Sequence, residues 1–243
     1  NLVANNSIFS NIATIDISNG YNYNNNYNWE VENLAITNST ITHYKGYTSL
    51  NNAIEVSDIC MQVSGGDGGI ISGNTFNNCG VGNMLERATY YSYHNGVLGA
   101  DNITIADNTF NDGGEIADVW FYTNGDADSA IITGNTFNSG DTSNGAIAFY
   151  PGGHEGAVIS DNTINTLANG IYMNGAQDFT LSGNTINGNG DAAHAGIDIT
   201  GGYGDVDNNT LIDADGGIVM DSMTNPPAPS SSLCTIRANS YRT

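Results

Sequence analysis

Residues 158–165 read Val-Ile-Ser-Asp-Asn-Thr-Ile-Asn, and residues 181–187 read Leu-Ser-Gly-Asn-Thr-Ile-Asn. The same phrase recurs along the chain: an apolar residue, two or three small or polar ones, Asn-Thr, and a second apolar residue. Strong copies lie at 70–76 (IISGNTF), 103–110 (ITIADNTF), 131–137 (IITGNTF), 180–186 (TLSGNTI) and 205–211 (DVDNNTL), and weaker ones at 4–8 (ANNSI), 35–41 (AITNSTI) and 235–241 (TIRANSY). Taking the Asn as marker gives Asn6, Asn38, Asn74, Asn108, Asn135, Asn162, Asn184, Asn209 and Asn239, at intervals of 32, 36, 34, 27, 27, 22, 25 and 30 residues. Helical repeats keep a fixed length in order to stack, whereas a coil of strands sheds extra residues through its turns.

Between the markers lies a second pattern: 14–17 (TIDI), 53–56 (AIEV), 146–149 (AIAF), 170–173 (GIYM), 196–199 (GIDI) and 217–220 (GIVM). Alternation over four or five residues is the mark of a strand with one buried face. No interval contains a convincing helical pattern. Two or three strands per interval of 22–36 residues define an all-β, single-stranded parallel β-helix, a solenoid of about nine coils. Rungs stacked about 4.8 Å apart make a rod roughly 40 Å long. The marker Asn residues are expected at one corner, each amide bonding to the next in a ladder, with the Phe, Ile or Leu two residues later pointing inward.

The repeated GNTF and DNTI with GI-x-hydrophobic strands between them resembles the right-handed parallel β-helix of the pectate-lyase-like superfamily, across nearly the whole chain. The right hand of the coil follows from that resemblance. The superfamily includes polysaccharide lyases, polygalacturonase-type hydrolases, epimerases, phage tailspikes and noncatalytic surface proteins, so the resemblance implies a fold more than an activity. Its hydrolases resemble one another in paired Asp motifs, a GHG and an RIK; this chain has neither GHG nor RIK. Its lyases and epimerases imply a cation to neutralise a uronate and a side chain to take the proton. Here Arg87 with Tyr93 and His94 is the candidate catalytic cluster, and His154 with Glu155, in GGHEG, is an isolated acid-base pair in a turn. A glycosidase needs two carboxylates at a set separation, which Asp118, Asp198 and Glu55 would supply only through stacking.

Composition narrows the partners. Asn occurs 37 times and Gly 31 times, and the formal charge is -21, from 25 Asp and Glu against Lys45, Arg87, Arg237 and Arg242. Such a surface repels phosphate backbones and anionic headgroups, which argues against nucleic acid, and no apolar run is long enough for membrane insertion. The chain opens Asn1-Leu2-Val3, as a mature chain after export or a segment of a longer one would. Cys60 and Cys79, 19 residues apart, can sit on adjacent turns and bridge, or all three cysteines, with Cys234, can serve as small core hydrophobes.

The division expected is a β-helix over 1–224, a Pro/Ser linker over 225–232 (NPPAPSSS), and a last strand or coil over 233–243. Residues 21–29 (YNYNNNYNW) and 84–95 (MLERATYYSYHN) read as loops. One outward column carries the candidate glycan-binding residues: Glu55, Tyr172 and Asp198, with Asp16, as the middle residues of the alternating strands, and Trp120, Tyr122 and Tyr150 on corresponding strands. Aromatics beside carboxylates on a rod hold sugar rings by their apolar faces; stacked surface aromatics also stabilise a sheet through cross-strand contacts. Acid pairs spaced by one residue, Asp126 with Asp128, Asp205 with Asp207, and Asp213 with Asp215, are the candidate Ca²⁺ ligands if they lie in turns, and Ca²⁺ is the cofactor they would take.

Two functions follow from this reading. The first is an extracellular or cell-surface structural or adhesive module of a layer or filament, assembling with itself head-to-tail or laterally and binding surface polysaccharide. The second is a carbohydrate-active enzyme, a polysaccharide lyase or tailspike-like depolymerase with its groove along the aromatic column.

Overall fold

The computed structural model describes residues 2–12, 15–17, 34–43, 59–63, 68–78, 80–83, 101–111, 118–121, 128–138, 145–150, 154–188, 194–214, 216–221 and 235–242. Among the described residues each of the first eight coils contributes three short strands in a fixed order, the ninth contributes two, and every pairing between coils is parallel. Two sheets have nine strands among the described residues and the third has eight. Sheet A runs from Leu2–Asn5 to Thr235–Arg237, sheet B from Ile8–Ile12 to Ser240–Arg242, and sheet C from Ile15–Ile17 to Ile218–Asp221. The molecule is therefore the parallel solenoid that the sequence predicts. The two strands described in the last coil extend sheets A and B in register with Asp205–Asp207 and Thr210–Ile212. The linker expected at 225–232 lies outside the described residues.

Alternation fills the interior. In sheet B the middle residues Ile41, Phe76, Phe110, Phe137, Ile164 and Ile186 pair one above another and are buried. The Phe76, Phe110 and Phe137 rings lie parallel, with centroids 4.8 and 4.9 Å apart. That separation matches the rung spacing, so each ring keeps its neighbour's rotamer. In sheet C, Phe121 and Phe149 stack at 4.5 Å.

The corner between sheets A and B is where the Asn-Thr phrase acts. Asn108 Oδ1 accepts the Asn74 backbone N–H at 2.9 Å and its Nδ2 at 3.0 Å, while Asn108 Nδ2 donates to the Ile71 carbonyl at 2.8 Å and to Asn135 Oδ1 at 3.0 Å. Both amide hydrogens and both lone pairs of a buried side chain are thus used. The pattern repeats through Asn135, Asn162, Asn184, Asn209 and Asn239. In the first two coils the register differs from the expectation. Asn6 and Asn38 sit one place early, and Ser7 and Ser39 hold the ladder: Ser39 N–H donates to Asn74 Oδ1 at 2.9 Å, and Ser39 Oγ accepts the Ser7 N–H at 3.1 Å. A hydroxyl supplies the acceptor there, but no second amide donor, so the ladder is thinner at that end.

The residue before each ladder residue has positive φ: Asn6, Asn38, Gly73, Asp107, Gly134, Asp161, Gly183, Asn208 and Ala238. From Asn38 to Gly183, Asx and Gly alternate for a steric reason. A Cβ on Gly134 would stand 2.6 Å from Asp107 Oδ1, and one on Gly183 2.5 Å from Asp161 Oδ1. Each Asx side chain lies over the glycine of the next coil, which also keeps Asp107 and Asp161 two rungs apart.

Candidate glycan-binding face on sheet C

The outward positions of sheet B repeat themselves. Thr75, Thr109, Thr136, Thr163 and Thr185 form one row, and Asn77, Asn111, Asn138, Asn165 and Asn187 a second. This second row is also a ladder, in which Nδ2 of Asn111, Asn138, Asn165 and Asn187 each donate to the preceding Asn Oδ1 at 3.1, 2.9, 3.0 and 2.6 Å. Its bonds run opposite to those of the inner ladder. The final Asn of NTFN and NTIN was its signal in the sequence.

Sheet C differs. Its middle row reads, coil by coil, Asp16, Gln62, Gly82, Trp120, Ala148, Tyr172, Asp198 and Val219. In the second of these coils the described strand is Ile59–Val63, whose Gln62 pairs with Asp16; residues 53–56, and with them Glu55, lie outside the described residues. Two residues further along the strands, Asn174, Thr200 and Asp221 form a second row.

The chemistry converges around Tyr172. Tyr150 follows the strand Ile147–Phe149, one coil before Tyr172, and the two rings meet edge to face at 5.7 Å and 71°. Asn174 Nδ2 donates to the Tyr172 hydroxyl at 2.9 Å, which holds the ring along the sheet and leaves the hydroxyl proton to donate elsewhere. Asn174 Oδ1 is buried and has no hydrogen-bond partner. Asp198 lies one rung beyond Tyr172 and accepts from Thr200 Oγ1 at 3.4 Å. Burial raises the Asp198 pKa above the usual carboxylate value, the Thr200 bond lowers it, and the charge of Asp221 raises it again. Tyrosine rings, an amide, a hydroxyl and two carboxylates thus occupy neighbouring positions on one face.

The other candidates fall elsewhere. Arg87, Tyr93, His94, Tyr122, Asp126 and Asp215 lie outside the described residues, and for Trp120 only the backbone position is described. Asp205 and Asp207 stand on the strand Tyr203–Asp207 and not in a turn, and Asp205 lies 3.9 Å from Arg237. Asp128 Oδ1 accepts the Glu155 N–H at 2.9 Å, so its carboxylate ties one coil to the next. Asp213 sits in an exposed turn with φ 48°. Among the described residues no group of three or more His, Cys, Asp or Glu is placed to hold a metal ion.

His154 and Glu155 do not form the acid-base pair expected of a turn. Glu155 is exposed, whereas His154 is fully buried, with its ring edge-on to Phe149 at 5.4 Å and to Phe121 at 6.2 Å. Burial pulls its pKa down from 6.5 to about 4, against the opposing effects of Asp128 and of the hydrogen bond with the Tyr150 backbone. Asp118 is also fully buried. The strand it precedes lies three coils from that of Asp198, about 14 Å along the rod by rung spacing, beyond the reach of a glycosidase pair.

Three parallel sheets, a buried amide ladder and one chemically varied outer face define a β-solenoid repeat protein of the β-helix class. The family model for the right-handed beta helix region matches residues 119–242, just over half the chain, and the protein belongs to that family. No curated protein and no solved structure matches it. Among the described residues no helix is long and apolar enough to cross a membrane.

Proposed function

We propose that this protein is an extracellular structural or adhesive β-helix module that holds a polysaccharide along sheet C and works in assembly with copies of itself. The observation that supports this reading is the Tyr150–Tyr172–Asn174–Asp198 cluster, set on rigid strands at one-rung intervals. Aromatic faces can receive the apolar faces of sugar rings while the neighbouring carboxylates accept their hydroxyl protons and the Tyr172 hydroxyl, held by Asn174, donates to them. The fixed spacing orders these groups before a ligand arrives, which lowers the entropic cost of binding. A chain of net charge -21 favours neutral or amine-bearing glycans over polyuronates. Cosedimentation with insoluble cellulose, chitosan and pectin gels tests the reading: retention on the neutral or the amine-bearing gel, reduced about tenfold in Tyr172→Ala, supports it. Equal retention of wild type and variant on every gel, or retention on none, defeats it.

One observation favours a second reading, a glycoside hydrolase. Asp198 and Asp221 are diagonal neighbours on adjacent strands, about 7–8 Å apart by strand geometry, within the separation used by inverting glycosidases. The raised pKa of Asp198 would fit it for the acid. Release of reducing ends from a polysaccharide, abolished in Asp198→Asn while binding persists, would establish this alternative.

A further inference from the structure

We infer that the outward face of sheet A pairs with the same face of a second copy of this chain. The inference rests on the assembly part of the function proposed above and names the surface that would carry it, separate from the glycan face.

The outward row of sheet A begins Val3, Ala35, Ile70, Thr104, Ile131 and Val158, one residue per coil in continuous register. Val3 is 67% exposed, Ile70 45% and Ile131 39%. The row beside it, from Asn5 to Ser182, holds only amide, hydroxyl and methyl side chains. Acids on the described strands of this sheet are Asp178, at the start of its strand in the seventh coil and outside the two rows, and Asp205 and Asp207, within the rows in the eighth. A chain with 25 acidic residues against four basic ones thus keeps these two rows free of charge through seven consecutive coils while exposing β-branched aliphatics in one of them. Exposed apolar stripes of this kind on a polar molecule mark contact surfaces.

The charge pattern selects the occupant. A basic partner would gain no electrostatic attraction on this face and would dock on the acidic ones. A second copy is repelled by the acidic surfaces and not by these rows, and of the two faces whose outward rows lack acids over most coils, sheet A exposes Ile and Val where sheet B presents Thr and Asn. Two copies of the stripe are also self-complementary, because a two-fold axis sets the apolar row of one against that of the other, with the sheets about 10 Å apart and their Ile and Val side chains interleaved. Seven coils at the rung spacing give a stripe about 29 Å long and two outward residues wide, a few hundred Å² per copy. A standard interface buries about 800 Å² per partner. Pairing through this face is therefore weak and reversible between isolated molecules, and gains strength where copies are held in an array. Salt strengthens it by screening the mutual repulsion of two acidic rods.

Sedimentation velocity over a protein concentration series, at low and high salt, tests the inference. The native chain is expected to form a dimer whose fraction rises with concentration and with salt. Ile70→Lys combined with Ile131→Lys should remain monomeric throughout, and the milder Ile70→Thr with Ile131→Thr should dimerise several-fold more weakly. Thr109→Lys with Thr136→Lys, on sheet B, should dimerise as the native chain does, and an unchanged circular dichroism spectrum verifies each fold. A native chain that stays monomeric at every concentration and salt, Ile-to-Lys variants that still dimerise, or sheet B variants that lose pairing equally would overturn it. Polysaccharide retention measured on the same variants separates the two ideas: retained binding with absent pairing removes only the sheet A contact.

Discussion

The outer faces of sheets B and C are built by the same coils, yet one repeats and the other does not. On sheet B, five consecutive coils present Thr and then Asn, and the Asn side chains spend part of their hydrogen bonding on one another. On sheet C the row changes at every coil, from Gly82 to Trp120, Ala148, Tyr172, Asp198 and Val219. Stacking is served by identity, because an amide, a hydroxyl or a ring makes its best contact with a copy of itself one rung away. A ligand is served by difference, since recognition needs a donor here, an acceptor there and a flat apolar surface between them. Within a repeat protein, the positions that depart from the repeat are therefore the first places to look for chemistry.

The comparison can be broken most severely at the inner ladder. Asn135→Ala removes the acceptor of two Asn108 hydrogen bonds, the backbone N–H among them, and the side-chain donor to the Ile105 carbonyl and to Asn162 Oδ1, which keeps the Asn135 N–H. With one to three kcal/mol for each buried group left unsatisfied, partly relieved by relaxation, the loss should be about 3–5 kcal/mol in urea unfolding. Phe110→Ala leaves a gap between two stacked rings and should cost about 3–4 kcal/mol by the same measurement.

A third test concerns acid stability. The interior holds His154 neutral, with a pKa of about 4 against the usual 6.5. The folded protein thus binds fewer protons than the unfolded chain, and stability is lost as pH falls from 6.5 toward 4, reaching about 3 kcal/mol from this residue alone. His154→Leu should flatten that part of the stability curve; an unchanged slope would mean that another group carries it. The smallest effect belongs to the outer ladder, where Asn138→Ala removes hydrogen bonds at the surface and should cost about 1 kcal/mol or less. A loss as large as at Asn135 would erase the distinction between the two ladders.

Much of the fold was legible because the period was written twice, once in Asn-Thr and once in the alternating strands. The slip in the first two coils came from chemistry that is close but not identical: Ser7 and Ser39 carry the acceptor role, so counting Asn residues selected Asn6 and Asn38 instead. In the second coil, Ile59–Val63 pairs with Ile15–Ile17, a strand that alternation alone did not single out. Tyr172 and Asp198 were readable as middle residues of alternating strands. Asn174, Thr200 and Asp221 were not, because they follow the second apolar residue and align only once the coils are stacked. His154 looked like a turn residue for a similar reason: Phe121, one of the rings that enclose it, comes from a different coil.

The most direct test of the central claim pairs one substitution on each of the two faces and reads both binding and stability. Tyr172→Ala should weaken retention on an insoluble polysaccharide about tenfold and, by removing the Tyr150 ring contact and the Asn174 hydrogen bond, cost about 1–2 kcal/mol in urea unfolding, whereas Asn138→Ala should leave retention intact. Retention lost equally in both variants, or only in Asn138→Ala, would contradict the assignment of binding to the irregular face.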